Sequence, residues 1–145
     1  MKFALLFGFL IGVALPNDLA RGQTSFSLLS LKDASIRKID LEMLSKPTLF
    51  MIFQPNCSAC HLQVRDLQCL KNKYEVILIG AYSSESSLRQ EYRRMGRSYE
   101  SYLGEDAFLK ALNAKQGLTP ELIMYKKKKS QHLLGLTPCT EIAQK

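Results

Sequence analysis

The chain has 145 residues, 46% of them hydrophobic, which is enough for one compact domain with a sizeable core. Its formal net charge is +7, a balance that suits an acidic partner, a membrane surface or plain solubility. No stripe of arginine or lysine interleaved with aromatics accompanies that charge, so no nucleic-acid partner is expected.

Residues 1–22 read as a secretory signal peptide. Lys2 supplies a short positive start, residues 3–15 an apolar run, and Ala20 and Gly22 small residues around a cleavage point. The apolar run falls short of the roughly 18–20 residues that span a bilayer, and the alternative is an uncleaved membrane anchor. No cysteine follows the run in the leader, which disfavours a lipidated start. The mature chain would then be one domain, residues 23–145, in the periplasm or otherwise exported, with a net charge of +6. Four cysteines in an exported chain point to an oxidising compartment.

Strands are expected at residues 26–31 and 36–39, joined by a turn at 32–35. Residues 40–44 read as a short helical turn with Asp40 as its N-cap, and Lys46-Pro47 leads into the next element. The unbroken apolar run 49–53 reads as a strand buried on both faces. Gln54-Pro55-Asn56 stops it, since proline cannot donate to a ladder. Cys57-Ser58-Ala59-Cys60 follows, and Leu62, Val64, Leu67 and Leu70 then mark roughly one face of a helix.

A Cys-x-x-Cys pair thus sits on the first turn of a helix at the carboxyl end of a buried strand. The free N–H groups and positive dipole end of that helix favour an anion and should lower the thiol pKa of Cys57. Cys60, about one turn on, is close enough to close a disulfide and to displace a mixed-disulfide partner. Cys57 is therefore the candidate nucleophile and Cys60 the resolving thiol.

A second buried strand is expected at 76–81, and the helix between two apolar strands makes a parallel βαβ unit. Residues 83–87 open a helix whose buried side carries Leu88, Tyr92 and Met95 and which ends at Gly96. Arg93, Arg94 and Arg97 read as its solvated side, with a substrate-docking role as the alternative. Another helix starts at 104–106, with Phe108, Leu109 and Leu112 apolar, and closes at Gly117. Thr119-Pro120 introduces a hairpin: a strand at 122–125, a lysine turn at 126–129 and a strand at 131–135. Thr137 as N-cap and Pro138 at the first position begin a short C-terminal helix.

Strand, Cys-x-x-Cys, helix, βαβ unit and Thr-Pro hairpin in this order resemble the thioredoxin superfamily, and more narrowly the TlpA/ResA-like extracytoplasmic thiol-disulfide oxidoreductases. The resemblance spans nearly all of the chain after the leader. It implies an α/β fold, with a central mixed sheet flanked by helices and an N-terminal β-hairpin. It implies that Pro120 is cis and abuts the Cys-x-x-Cys, with Thr119 offering its backbone to an extended substrate. It places the C-terminal helix on the same sheet face as the helix bearing Cys69, so that Cys69 and Cys139 are expected to form a structural disulfide. Two buried free thiols are the alternative. The resemblance also implies cysteine-containing exported proteins as substrates, a membrane thiol-disulfide electron donor, no cofactor, and action as a reductant. Ser58 and Ala59 between the cysteines, Asn56 before them, and Met51 and Gln63 where relatives carry a buried carboxylate are departures from the family pattern.

Two other chemistries fit the motif. Cys57-Ser58-Ala59-Cys60-His61 matches the covalent c-type haem signature, with His61 as one axial ligand and Met95 or Met124 as the other. Cys57, Cys60 and His61, with His132, form a possible copper or zinc set.

Overall fold

A computed structural model describes residues 22–145. The expected leader, except Gly22, lies outside the described residues. Among the described residues no helix is long and apolar enough to cross a membrane.

The apolar run becomes β3 (Thr48–Phe53), with all six residues buried at the centre of a five-stranded sheet. On one side β4 (Glu75–Gly80) runs parallel to it, and β5 (Glu100–Leu103) runs parallel to β4. On the other side β6 (Glu121–Lys126) and β7 (Lys129–Leu134) run antiparallel. The strand order is β5-β4-β3-β6-β7. The N-terminal hairpin, β1 (Ser25–Leu29) and β2 (Ile36–Asp40), forms its own two-stranded sheet. It is tied to the β5 edge by the Ser30–Tyr102 bridge and by Leu31 N–H donating to the Ser101 carbonyl at 2.8 Å. In the hairpin's turn the Ser35 hydroxyl and N–H donate to Asp33, with Ser30 nearby, and the Asp33 carboxyl is held down at about 2.

Alternation along the strands divides the core in two. Leu49, Met51 and Phe53 face α1 (Ser58–Asp66), its 3-10 extension (Leu67–Leu70), α2 (Glu85–Arg94) and α4 (Cys139–Ala143). Phe50, Ile52, Ile77, Ile79 and Ile123 face the hairpin and α3 (Asp106–Ala111). On that side Phe108 meets Phe26 and Phe50 edge-on, at 5.2 and 5.7 Å between ring centres. Each such fully buried side chain is worth about 1.5–3 kcal/mol relative to exposure.

Several local expectations are corrected. The turn expected at 40–44 is a single one: the Asp40 carbonyl accepts the Met43 N–H at 3.1 Å and its carboxylate the Glu42 N–H at 2.9 Å, as an N-cap does, but no helix follows it. The interval after β4 holds the two expected helices but also β5, a four-residue strand too short and too polar to stand out. On α1 the buried face carries Cys60, Gln63 and Val64, while Leu62 is 54% exposed. The lysine turn is tighter than expected. Only Lys127 and Lys128, at φ 49 and 64, lie between β6 and β7, as in a two-residue hairpin turn. Thr137 does not cap α4. Pro138 is the cap residue, and the Asp66 carboxylate accepts the Cys139 N–H from across the fold at 2.6 Å.

Candidate active site

After β3 the chain reverses through Asn56, whose φ of 62 is one that asparagine tolerates better than most residues. Cys57 is the N-cap of α1, one position before the helix proper. Its sulfur accepts the Cys60 N–H at 3.1 Å, and its carbonyl takes the Cys60 and His61 N–H groups at 3.0 and 3.3 Å. The two cysteines are joined in a disulfide with Cα atoms 5.2 Å apart. Cys57 is half-buried and Cys60 fully buried, so only one sulfur of the pair can be approached. No acidic residue lies in the first turn of α1 to compete for its dipole.

The Thr119-Pro120 bond is cis. Glu121 pairs with Ile52, so the antiparallel register puts Pro120 beside Phe53, at the same sheet end as Cys57. Pro120 is buried and its carbonyl accepts the Gly135 N–H at 2.9 Å, while Thr119 is half-exposed. Among the described residues no backbone hydrogen bond engages Thr119. Cys69 and Cys139 are also joined, with Cα atoms 6.3 Å apart, linking the end of the 3-10 extension to the start of α4.

Met51 and Gln63 are both fully buried on the Cys60 side of the sheet. The Gln63 amide donates to the Thr137 carbonyl at 2.9 Å and accepts the Thr137 N–H at 2.7 Å, tying α1 to the segment ahead of α4. Gln63→Leu would strand both backbone groups, and it should cost about 2–4 kcal/mol in urea denaturation. A loss within experimental error would mean that water replaces the amide.

Two carboxylates that the motif reading did not single out prove important. Glu91, only 1% exposed, has its carboxylate 2.6 Å from His61 Nε2, with Arg94 at 3.5 Å from its other oxygen. The pair joins α1 to α2 beside a groove that reaches Asn56 and Ser58. The signal was present, because Glu91 lies three residues after Leu88 on the apolar stripe of α2. Glu121, fully buried, takes the Lys115 N–H at 2.7 Å and lies 2.7 Å from His132 Nδ1. It holds the loop that leads to Thr119. Alternation with Ile123 sets it on the sheet face away from Cys60.

These pairings bear on the other chemistries. His132 lines a cavity with Lys110 and Lys115, apart from the groove that His61 lines, so the structure does not gather the proposed metal set. Among the described residues no three His, Cys, Asp or Glu side chains are grouped to hold a metal ion. The Nε2 of His61, the atom a haem iron would need, is engaged by Glu91, and Met95 and Met124 are core side chains.

No protein-family model and no curated protein sequence matches the chain. Its fold does match solved structures. DsbF of Mycobacterium tuberculosis (MTB) superposes with a TM-score of 0.66 at 12% identity, covering 86% of this chain and 94% of that one. A secreted Mycobacterium tuberculosis disulfide oxidoreductase, homologous to E. coli DsbE, gives 0.60 at 14% identity, covering 82% and 92%. The thioredoxin domain of a thiol-disulfide oxidoreductase from Bacteroides vulgatus gives 0.59 at 13% identity, covering 87% and 97%. The architecture is therefore thioredoxin-like, with a mixed five-stranded sheet, flanking helices and an N-terminal hairpin.

Proposed function

We propose that this protein is an exported thiol-disulfide oxidoreductase that works as a reductant of cysteine pairs in other exported proteins. The observation that carries the reading is the disulfide between half-buried Cys57, capping a helix, and fully buried Cys60. Once that disulfide is reduced, the helix N-terminus and the Cys60 N–H stabilise a sulfur anion on Cys57. The Cys57 thiolate attacks one sulfur of the substrate disulfide, whose S–S bond breaks, and the departing sulfur takes a proton. The Cys60 thiolate then attacks Cys57 in the mixed disulfide and releases the second substrate thiol. Two electrons have passed to the substrate, and the Cys57–Cys60 disulfide is restored.

Thr119, whose backbone makes no hydrogen bond among the described residues, pairs in this reading with an extended substrate at the sheet end shared with Cys57, and Pro120 borders that edge. A dithiol donor at the membrane would re-reduce the pair. Export rests on the leader reading of residues 1–22 and on two disulfides joining all four cysteines, a pattern of oxidising compartments. A disulfide oxidoreductase among the structural neighbours is described as secreted. The Cys69–Cys139 disulfide is assigned a structural role.

The test is the reduction potential of the Cys57–Cys60 pair by equilibration with glutathione. A value at or below about −250 mV is expected of a reductant. A value of about −120 to −180 mV would reverse the direction and make the protein an oxidant or isomerase. A pair with no reversible couple would end the enzyme reading.

A further inference from the structure

The charge of this chain is gathered at one end. β3 begins at Thr48 and ends at Phe53, just ahead of Cys57, so its ends define two poles of the domain. At the Thr48 pole Lys46, Lys71 and Lys73 line one cavity together with Tyr74. Lys126, Lys127, Lys129 and Lys145 line a second, which shares Tyr74. A third, bordered by Lys46, Lys126, Lys127 and Lys128, adjoins both. The acidic residues lining these openings are Glu42 and Glu75, and Glu42 is already paired with Lys128 at 3.0 Å. Eight lysines against two glutamates line these openings, and Asp40, in the turn with Glu42, adds a third carboxylate, so this pole carries +5 of the net +6 of residues 22–145.

Two further features share the pole. Its 41–46 loop presents Met43, 77% exposed, beside half-buried Leu44. The same loop receives the start of the described chain, because Leu41 N–H donates to the Thr24 carbonyl at 2.9 Å.

We propose that this lysine pole is a docking surface for an anionic lipid bilayer. The Cys57–Cys60 disulfide is then held at the far end of the sheet, about 20 Å away on the aqueous side. A bilayer fits better than an acidic protein. The charge is carried by flexible lysines across three openings, not by arginine forks matched to particular carboxylates. One exposed methionine supplies only shallow apolar insertion, and attraction to anionic headgroups adds lysine by lysine. The inference is independent of the redox reading, because its readout is binding.

The test is co-sedimentation of the protein as recovered from an exporting host with two vesicle types across a salt series. One type is phosphatidylcholine alone, and the other is phosphatidylcholine mixed with phosphatidylglycerol. The mixed vesicles should bind more protein, and the excess should fall as salt rises. Each lysine neutralised should lower that excess about fivefold. The variant K126Q/K127Q/K128Q/K129Q should therefore lose at least about a hundredfold, while K110Q/K115Q, outside the pole, should match the parent. Should the hairpin variant fail to fold, K46Q/K71Q must still lose about twentyfold or more. Equal binding to both vesicle types, or pole variants that bind like the parent, overturns the proposal. Salt-sensitive retention on polyglutamate with no vesicle binding assigns the pole to an acidic polypeptide and also overturns it.

Discussion

Cys57→Ser should reduce disulfide exchange by at least about a thousandfold, to the background of the assay thiol. Cys60→Ser should behave differently. It keeps the accessible sulfur and the helix N-terminus that stabilises its anion, so attack on a substrate disulfide still proceeds. What it lacks is the buried thiol that resolves the intermediate, and a stable mixed disulfide at Cys57 should accumulate. Mass spectrometry of the intact adduct, with peptide mapping, reads both outcomes. In the reduced protein, iodoacetamide should label Cys57 well before Cys60, because burial shields the second sulfur. Faster labelling of Cys60, or full turnover by Cys60→Ser, would reverse the roles assigned here.

The double variant Cys69→Ala/Cys139→Ala should be less stable by about 4 kcal/mol, from the closure entropy of a loop whose ends are 70 residues apart. For a domain of this size that is a fall in melting temperature of roughly 10–20 °C. Isolated helices as short as α4, five residues, do not hold themselves together in water. Without the disulfide, α4 keeps the burial of Ile142, the Asp66 cap on the Cys139 N–H and a contact from Lys73 to the Ala143 carbonyl. Those contacts should keep the variant folded at low temperature, and the Cys57–Cys60 potential should stay near that of the parent. A loss below about 1 kcal/mol would show that the packing of α4 alone suffices.

The contrast between α1 and the carboxylate pairs shows what a linear reading can reach. The run 49–53 and the Cys-x-x-Cys after it are contiguous and chemically distinctive, so strand, reversal and helix follow from local rules. The stripe of Leu88, Tyr92 and Met95 reads out α2 for the same reason, and all three are buried. Leu62 is apolar yet exposed, because hydrophobicity alone does not settle which side of a helix is buried. The face of α1 is set by where Cys60 must lie, and that turns Gln63 inward and Leu62 outward. β5 escaped because an edge strand of four residues, with Glu100 exposed, carries little periodic signal.

By itself the sequence determined the main strands and helices, the βαβ unit and the place of the Cys-x-x-Cys at its strand–helix junction, because alternation, helical spacing and turn residues act over a few neighbours, and the fold class followed from the resemblance that their order carries. Only the tertiary structure decided which polar groups meet. His61 finds Glu91 thirty residues on, Gln63 finds the Thr137 backbone and Asp66 caps a helix at Cys139. It also gathered lysines from four separate stretches at the pole opposite Cys57. The reason is physical. A buried amide or carboxylate is tolerated only where a partner satisfies it, and that partner is supplied by the packing of distant elements, not by neighbours in the chain.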